Sequence, residues 1–138
     1  KIDMTTQRLE LKDIENIAKT IIDLDKNIIF LHGKIGSGKT TLVQSIAKLL
    51  NVKDNVTSPT FSLLNVYDDK IYHYDMYNKN FEELYSLGLL ESFENEGLHL
   101  VEWGDERLKR ALERLGYDTI ALYIEGEGNY REYRIEDA

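Results

Sequence analysis

Between the apolar run Asn27-Ile28-Ile29-Phe30-Leu31-His32 and an apolar stripe that begins at Leu42 lies Gly33-Lys34-Ile35-Gly36-Ser37-Gly38-Lys39-Thr40. The segment satisfies G-x-x-x-x-G-K-[ST] at every fixed position. Few patterns limit a fold so strongly, because such a loop is delivered by a strand buried on both faces and opens directly into a helix. Glycines let the backbone turn with positive φ and aim successive N–H groups inward, forming a nest for the α- and β-phosphates of a nucleotide. The helix that follows adds the positive end of its dipole. In this arrangement Gly33, Lys34, Ile35, Gly36, Ser37 and Gly38 form the cradle and Lys39 reaches the β- and γ-phosphates. The Thr40 hydroxyl ligates Mg²⁺, and Thr41 sits one residue deeper on the same face. At ordinary glycine usage the four fixed positions coincide by chance on the order of once in a few hundred chains of this length. The plain alternative is a structural glycine turn carrying an exposed lysine.

The remaining periodicity agrees with that setting. Ile14, Ile17, Ala18, Ile21 and Ile22 recur at helical spacing, and Leu42, Val43, Ile46, Ala47, Leu49 and Leu50 do so after the loop. Two β-rich runs, 61–67 and 70–74, flank Asp68-Asp69 as a hairpin. A helix is expected over 81–90, a short apolar strand over 98–101 and a charged helix over 105–115. A second hairpin is expected from 120–124 and 130–135 around Gly126 and Gly128. Helices alternating with strands predict an α/β fold: a P-loop NTPase-like three-layer α/β/α sandwich, its central sheet mostly parallel with antiparallel strands added. Length and hydrophobic content, 138 residues and 42%, suit a single domain over 1–138.

Charge and composition narrow the partners. Seventeen Lys and Arg against 25 Asp and Glu leave a net charge of −8, so the chain is not expected to hold nucleic acid by itself. With no cysteine there is no disulfide, thiolate metal site or Cys nucleophile. The longest apolar run is the five residues Ile120 to Ile124, against roughly 20 for a membrane span. No secretory h-region follows Lys1, and a first residue other than Met leaves open whether residues precede this numbering. The expectation is a soluble, cytoplasmic protein with no membrane partner.

A P-loop needs a carboxylate from another strand to complete its metal site. Glu102 ends the run Leu98 to Val101 and could hold Mg²⁺ directly or through water; the alternative is a solvated strand-end Glu. Asp75 ends Ile71-Tyr72-His73-Tyr74 and could orient water or magnesium, or simply cap the next turn. Trp103, the one tryptophan, could be core, shield the site or meet a partner. Thr57, Ser58, Pro59 and Thr60 lie where P-loop proteins place a mobile switch, or form a polar connection. His32, His73 and His99 lack metal-ligand spacing and read as core or edge histidines. N-K-x-D and D-x-x-G are absent, which argues against the usual GTPase. Arg107, Lys109, Arg110 and Arg114 could form a kinase-like lid, but they interleave with Glu106 and Glu113 as a salt-bridged helix face does.

Taken in order, GKIGSGKTT, VTSPTF at 56–61, YHYDMY at 72–77 and LVEWGDE at 100–106 resemble the TsaE family. This is the bacterial P-loop ATPase family of threonylcarbamoyladenosine tRNA modification. The resemblance spans about 12–124. It implies an ATP- and Mg²⁺-dependent ATPase, weak without partners, whose cycle sustains the TsaD–TsaB pair that modifies the adenosine beside the anticodon. tRNA would then be met only through that complex. The resemblance also implies that Lys39, Asp75 and Glu102 serve hydrolysis, that Thr40 and Glu102 sit at magnesium, and that 57–61 lie near the γ-phosphate. Family members commonly have Arg after D-x-Y, where this chain has Asn78. Two other functions stay open: a nucleotide-dependent binding or assembly module with incidental hydrolysis, and a small-molecule kinase.

Overall fold

Strands and helices alternate along the chain as the two hydrophobic periods require, and the computed structural model describes residues 3–10, 13–34, 36–56, 63–126 and 128–137. Strand β1 (Asp3–Glu10) is followed by helix α1 (Ile14–Asp23), β2 (Ile28–His32), α2 (Lys39–Leu49), β3 (Leu64–Tyr67) and β4 (Ile71–Asp75). Then come α3 (Phe81–Ser86), a 3₁₀ turn (Leu90–Glu94), β5 (Leu98–Glu102), α4 (Glu106–Arg114), β6 (Thr119–Glu125) and β7 (Tyr130–Asp137).

One seven-stranded sheet takes the order β1-β7-β6-β2-β5-β4-β3. Its middle four strands, β6, β2, β5 and β4, are mutually parallel, while β3 and β7 run against them. Because β1 is antiparallel to β7, it points the same way as the middle four. The sheet is therefore mostly parallel in strand direction, with antiparallel additions at both hairpins, as the periodicity indicates.

Alternate residues of the central strands feed two separate cores. Ile29 and Leu31 of β2, Leu100 of β5 and Leu122 of β6 pack with Ile17 and Ile21 of α1 and Leu42, Val43 and Ile46 of α2. Ile28 and Phe30, on the other face, pack with Tyr74, Val101, Leu84 of α3, Phe93, and Leu108 and Leu112 of α4. Helices cover both faces, so β2 is apolar without interruption and cannot alternate with polar residues. The arrangement is the expected α/β/α sandwich. No helix among the described residues is long and apolar enough to cross a membrane.

The predicted hairpin at Asp68-Asp69 forms, with Tyr67 paired to Ile71, both aspartates at φ +52 and Lys70 N–H donating to the Tyr67 carbonyl at 2.9 Å. The helix predicted over 81–90 stops earlier, at Ser86. Gly88 takes φ +71, and the N–H groups of Gly88 and Leu89 turn back to the carbonyls of Tyr85 and Leu84. That double bond is a Schellman ending, and the chain resumes only as the 3₁₀ turn. The strand predicted from 61 begins, among the described residues, at Leu64.

Candidate nucleotide-binding site

Strand β2 delivers the chain at His32 to the edge of the sheet where the middle parallel strands end, and the loop 33–38 turns it into α2. Gly36 at φ +83 and Gly38 at φ +105 hold left-handed conformations that a side chain would strain. Gly33 is needed for another reason, since a Cβ there would lie 2.5 Å from the Ser37 Oγ. Ser37 N–H donates to the Lys34 carbonyl at 2.9 Å, closing the loop on itself. Helices α3 and α4 have side-chain caps: Asn80 Oδ1 accepts from Glu83 N–H and Asp105 Oδ1 from Leu108 N–H, both at 2.9 Å. Helix α1 lacks one although its N-cap is Asp13, and helix α2 can have none, because its N-cap is Gly38. Its first-turn amides and its dipole are thus left for an anion.

Lys39 is nearly buried, with 6% of its surface exposed. Its Nζ donates to the Gly33 carbonyl at 2.5 Å and lies 3.9 Å from the centre of the Trp103 ring. Burial pushes this ammonium below its usual range, while the charges of Glu102 and Asp75 pull it back up. Both acids therefore act on the lysine that the loop presents. They are partners in register at the ends of β4 and β5, Asp75 opposite Glu102. Asp75 is half-buried and its Oδ1 accepts Tyr77 N–H at 3.0 Å, so the capping role and a place at the site coexist in one side chain. Glu102 is buried, and its Oε2 is hydrogen-bonded to His73 Nε2. Trp103, at φ +60 directly after β5, is partly exposed and packs 5.2 Å from the Tyr77 ring. It is a cover over Lys39, not core.

A cleft of about 860 Å³ opens beside the loop, lined by Gly33, Lys34, Gly36, Ser37, Trp103 and Arg131 among others. Arg131, on β7, is one contribution that motif spacing did not reveal. Its Nε donates to the Ser37 carbonyl at 2.9 Å, and its Nη1 donates at 2.9 Å to the carbonyls of Gly128 and Tyr130. The guanidinium thus ties the second hairpin to the glycine loop and adds positive charge beneath it.

The structure brings Lys39, Asp75, Glu102 and Trp103 together at the loop. Thr40 lies in the first turn of α2 and is partly buried, whereas Thr41 is exposed. Ile35 and the expected switch-like residues Thr57, Ser58, Pro59 and Thr60 lie outside the described residues. Asn78 adopts φ +55, a conformation that Asn tolerates better than most residues. His99 is a core histidine: buried, held by the Asn95 carbonyl and the Tyr74 hydroxyl, its pKa lowered by burial. His32 stacks on Tyr123 at 4.8 Å. His73 departs from the expectation of a plain core histidine, for it reaches Glu102. The signal in the sequence was its two-residue spacing from Asp75, which puts both on one face of the strand.

On α4, Arg107 pairs with Glu82, Arg110 with Glu106, and Lys109 with Glu106 and Glu113. These cations form the salt-bridged face, which leaves them poorly suited to a lid. Among the described residues no three His, Cys, Asp or Glu side chains converge on a metal position. A cation at the loop would be held by a hydroxyl, a carboxylate, water and oxygens of the bound phosphates, the donor set that suits Mg²⁺. The uncapped helix, the buried Ser37 Oγ with no partner among the described residues and the two facing acids fit a magnesium–nucleotide.

A family model described as threonylcarbamoyl adenosine biosynthesis protein TsaE matches residues 9–134. The chain belongs to the TsaE family. A relative from Bacillus subtilis, named tRNA threonylcarbamoyladenosine biosynthesis protein TsaE, is 34% identical over 122 residues, 80% of this chain and 77% of its own length. A TsaE of the same name from Rickettsia typhi is 42% identical over 101 residues, covering 68% and 69% respectively. One from Treponema pallidum is 34% identical over 106 residues, 75% and 77%. Among solved structures, Bacillus subtilis YdiB superposes with a TM-score of 0.72 at 26% identity, over 99% of this chain and 88% of that one.

Proposed function

We propose that this TsaE-family chain binds ATP with Mg²⁺ and hydrolyses it, and that the cycle sustains the TsaD–TsaB pair in threonylcarbamoyl modification of tRNA. The observation that carries the reading is Lys39 at the mouth of an uncapped glycine nest, under the joint charge of Glu102 and Asp75. Family membership and the names of the relatives support the tRNA-modification setting.

The first-turn amides of α2 would take phosphate oxygens, and Lys39 Nζ would leave the Gly33 carbonyl and the Trp103 face for the β- and γ-phosphates. Thr40 and Glu102 would hold Mg²⁺, which when bound supplies a Lewis acid at the transferring phosphoryl group. Asp75, with Oδ1 anchored by Tyr77 N–H, would orient the attacking water and receive its proton on Oδ2. Trp103 lines the opening, and Tyr77, exposed like it, packs against its ring. A partner seated there would exclude water, which supports weak turnover alone and faster turnover in the complex.

The net charge of −8 argues for contact with tRNA through the partners. The test is ATP turnover by the purified chain alone and with TsaD and TsaB, beside Lys39→Ala. Stimulation that vanishes in the variant is expected; no response to the partners while ATP still binds would overturn the TsaD–TsaB assignment. Asp75→Asn separates motor from binding module. The proposal expects ATP binding without multiple-turnover modification, and full modification would favour the module.

A further inference from the structure

We propose that His73 is the positioning residue for Glu102, an inference that rests on reading Glu102 as the magnesium ligand. Strands β4 and β5 pair with His73 opposite Leu100 and Asp75 opposite Glu102. With a side-chain period of two, His73, Asp75 and Glu102 share one face of the sheet. From that place the imidazole crosses diagonally, and its Nε2 is hydrogen-bonded to Glu102 Oε2. The two side chains are 0% and 8% exposed, so water does not compete for the bond.

A carboxylate offers only lone pairs, so the proton in this bond is carried by Nε2 and His73 is the donor. The other nitrogen, Nδ1, is buried with no hydrogen-bond partner among the described residues. A residue placed there for packing alone would be apolar and leave no orphaned polar atom. What the imidazole contributes that an apolar side chain cannot is the single donor toward Glu102. The bond commits Oε2, restrains the carboxylate's rotation within the sheet, and leaves Oε1 for the cation or its water. It is the outer-shell partner of a metal-binding carboxylate, supplied by the neighbouring strand.

The test compares the affinity for ADP with and without Mg²⁺ by calorimetry in the wild-type chain and in Glu102→Gln, His73→Leu and His73→Gln. The ratio of the two affinities measures magnesium coupling apart from any turnover. His73→Leu is expected to lower that ratio on the order of tenfold while Mg²⁺-free ADP affinity stays unchanged. His73→Gln, whose amide nitrogen reaches the Nε2 position, is expected to restore most of it. Unchanged coupling in His73→Leu, or equal loss in both His73 variants, would overturn the proposal. Unchanged coupling in Glu102→Gln would instead overturn the reading of Glu102 itself. Should His73→Leu fail to fold, the imidazole ¹⁵N shifts of the wild-type chain decide the matter. The Nε2–H tautomer is expected, and the Nδ1–H tautomer would refute the donor role.

Discussion

Replacing Arg131 by Leu removes three hydrogen bonds at once, and only one of them touches the glycine loop. Nη1 serves the carbonyls of Gly128 and Tyr130 within its own hairpin, whereas Nε reaches Ser37, 94 positions earlier in the chain. Arg131 is 9% exposed and its Nε bond to Ser37 is buried, so that bond is little weakened by solvent. A charge-assisted bond of this kind contributes about 1.5–3 kcal/mol. If the bond to Ser37 holds the loop in its binding-competent shape, that energy sets the ceiling on what binding can lose. The expected cost is about 10- to 100-fold in ADP affinity. Calorimetry with ADP, well below the melting midpoint, reads this directly. Arg131→Lys keeps the charge but loses the fork of donors, and should fall between wild type and the Leu variant. A folded Arg131→Leu protein that binds ADP as tightly as wild type would refute the tether argument. A lowered melting midpoint with unchanged affinity would assign Arg131 to the hairpin alone.

Further predictions concern single residues. Trp103 is the one tryptophan and faces Lys39, so binding of Mg-ADP should change its fluorescence; the ligand-free Lys39→Ala protein should start from a different emission and show no response. His99 has a pKa lowered by burial, so the unfolded chain takes up a proton before the folded one does. Its contribution to stability is complete above about pH 6.5 and is lost as pH falls from there, at up to about 1.4 kcal/mol per pH unit. Denaturation between pH 7.5 and 5 should be less pH-dependent in His99→Gln, and an identical slope would refute the assignment. Gly126 sits at φ +119 with a would-be Cβ 2.8 Å from the Tyr130 carbonyl, so Gly126→Ala should cost about 1–3 kcal/mol in chemical denaturation. A neutral effect would show that the turn can relax.

Most of the architecture was legible because its determinants are local. The uninterrupted run 28–31 demanded a strand covered on both sides, and Asp68-Asp69 placed the hairpin turn. The apolar stripe carries the predicted helix α3 too far because Leu89 and Leu90 continue it, while Gly88 just before them accepts the left-handed angle that ends it. At the site, Lys39, Asp75 and Glu102 could be placed because motif and strand ends announce them. Arg131 left no mark and His73 only its two-residue spacing from Asp75, since what matters about each is its partner on another strand. Pairing between strands distant in the chain leaves no periodic trace. The mutual register of β4 and β5 had to be seen before a histidine in an apolar run could be told from core.

The long reach from Arg131 to Ser37 also bears on when the site comes into being. A chain made from its N-terminus has the residues of β2, the glycine loop and α2 in hand early, yet the strand that braces the loop follows them by most of a domain. The same late strand must slot between β6 and β1, so the first and last strands described become part of the sheet together. Contacts so far apart are slow to form and give a high contact order. A nucleotide that binds only the braced loop would then act as a folding ligand, drawing the last strand into place by mass action.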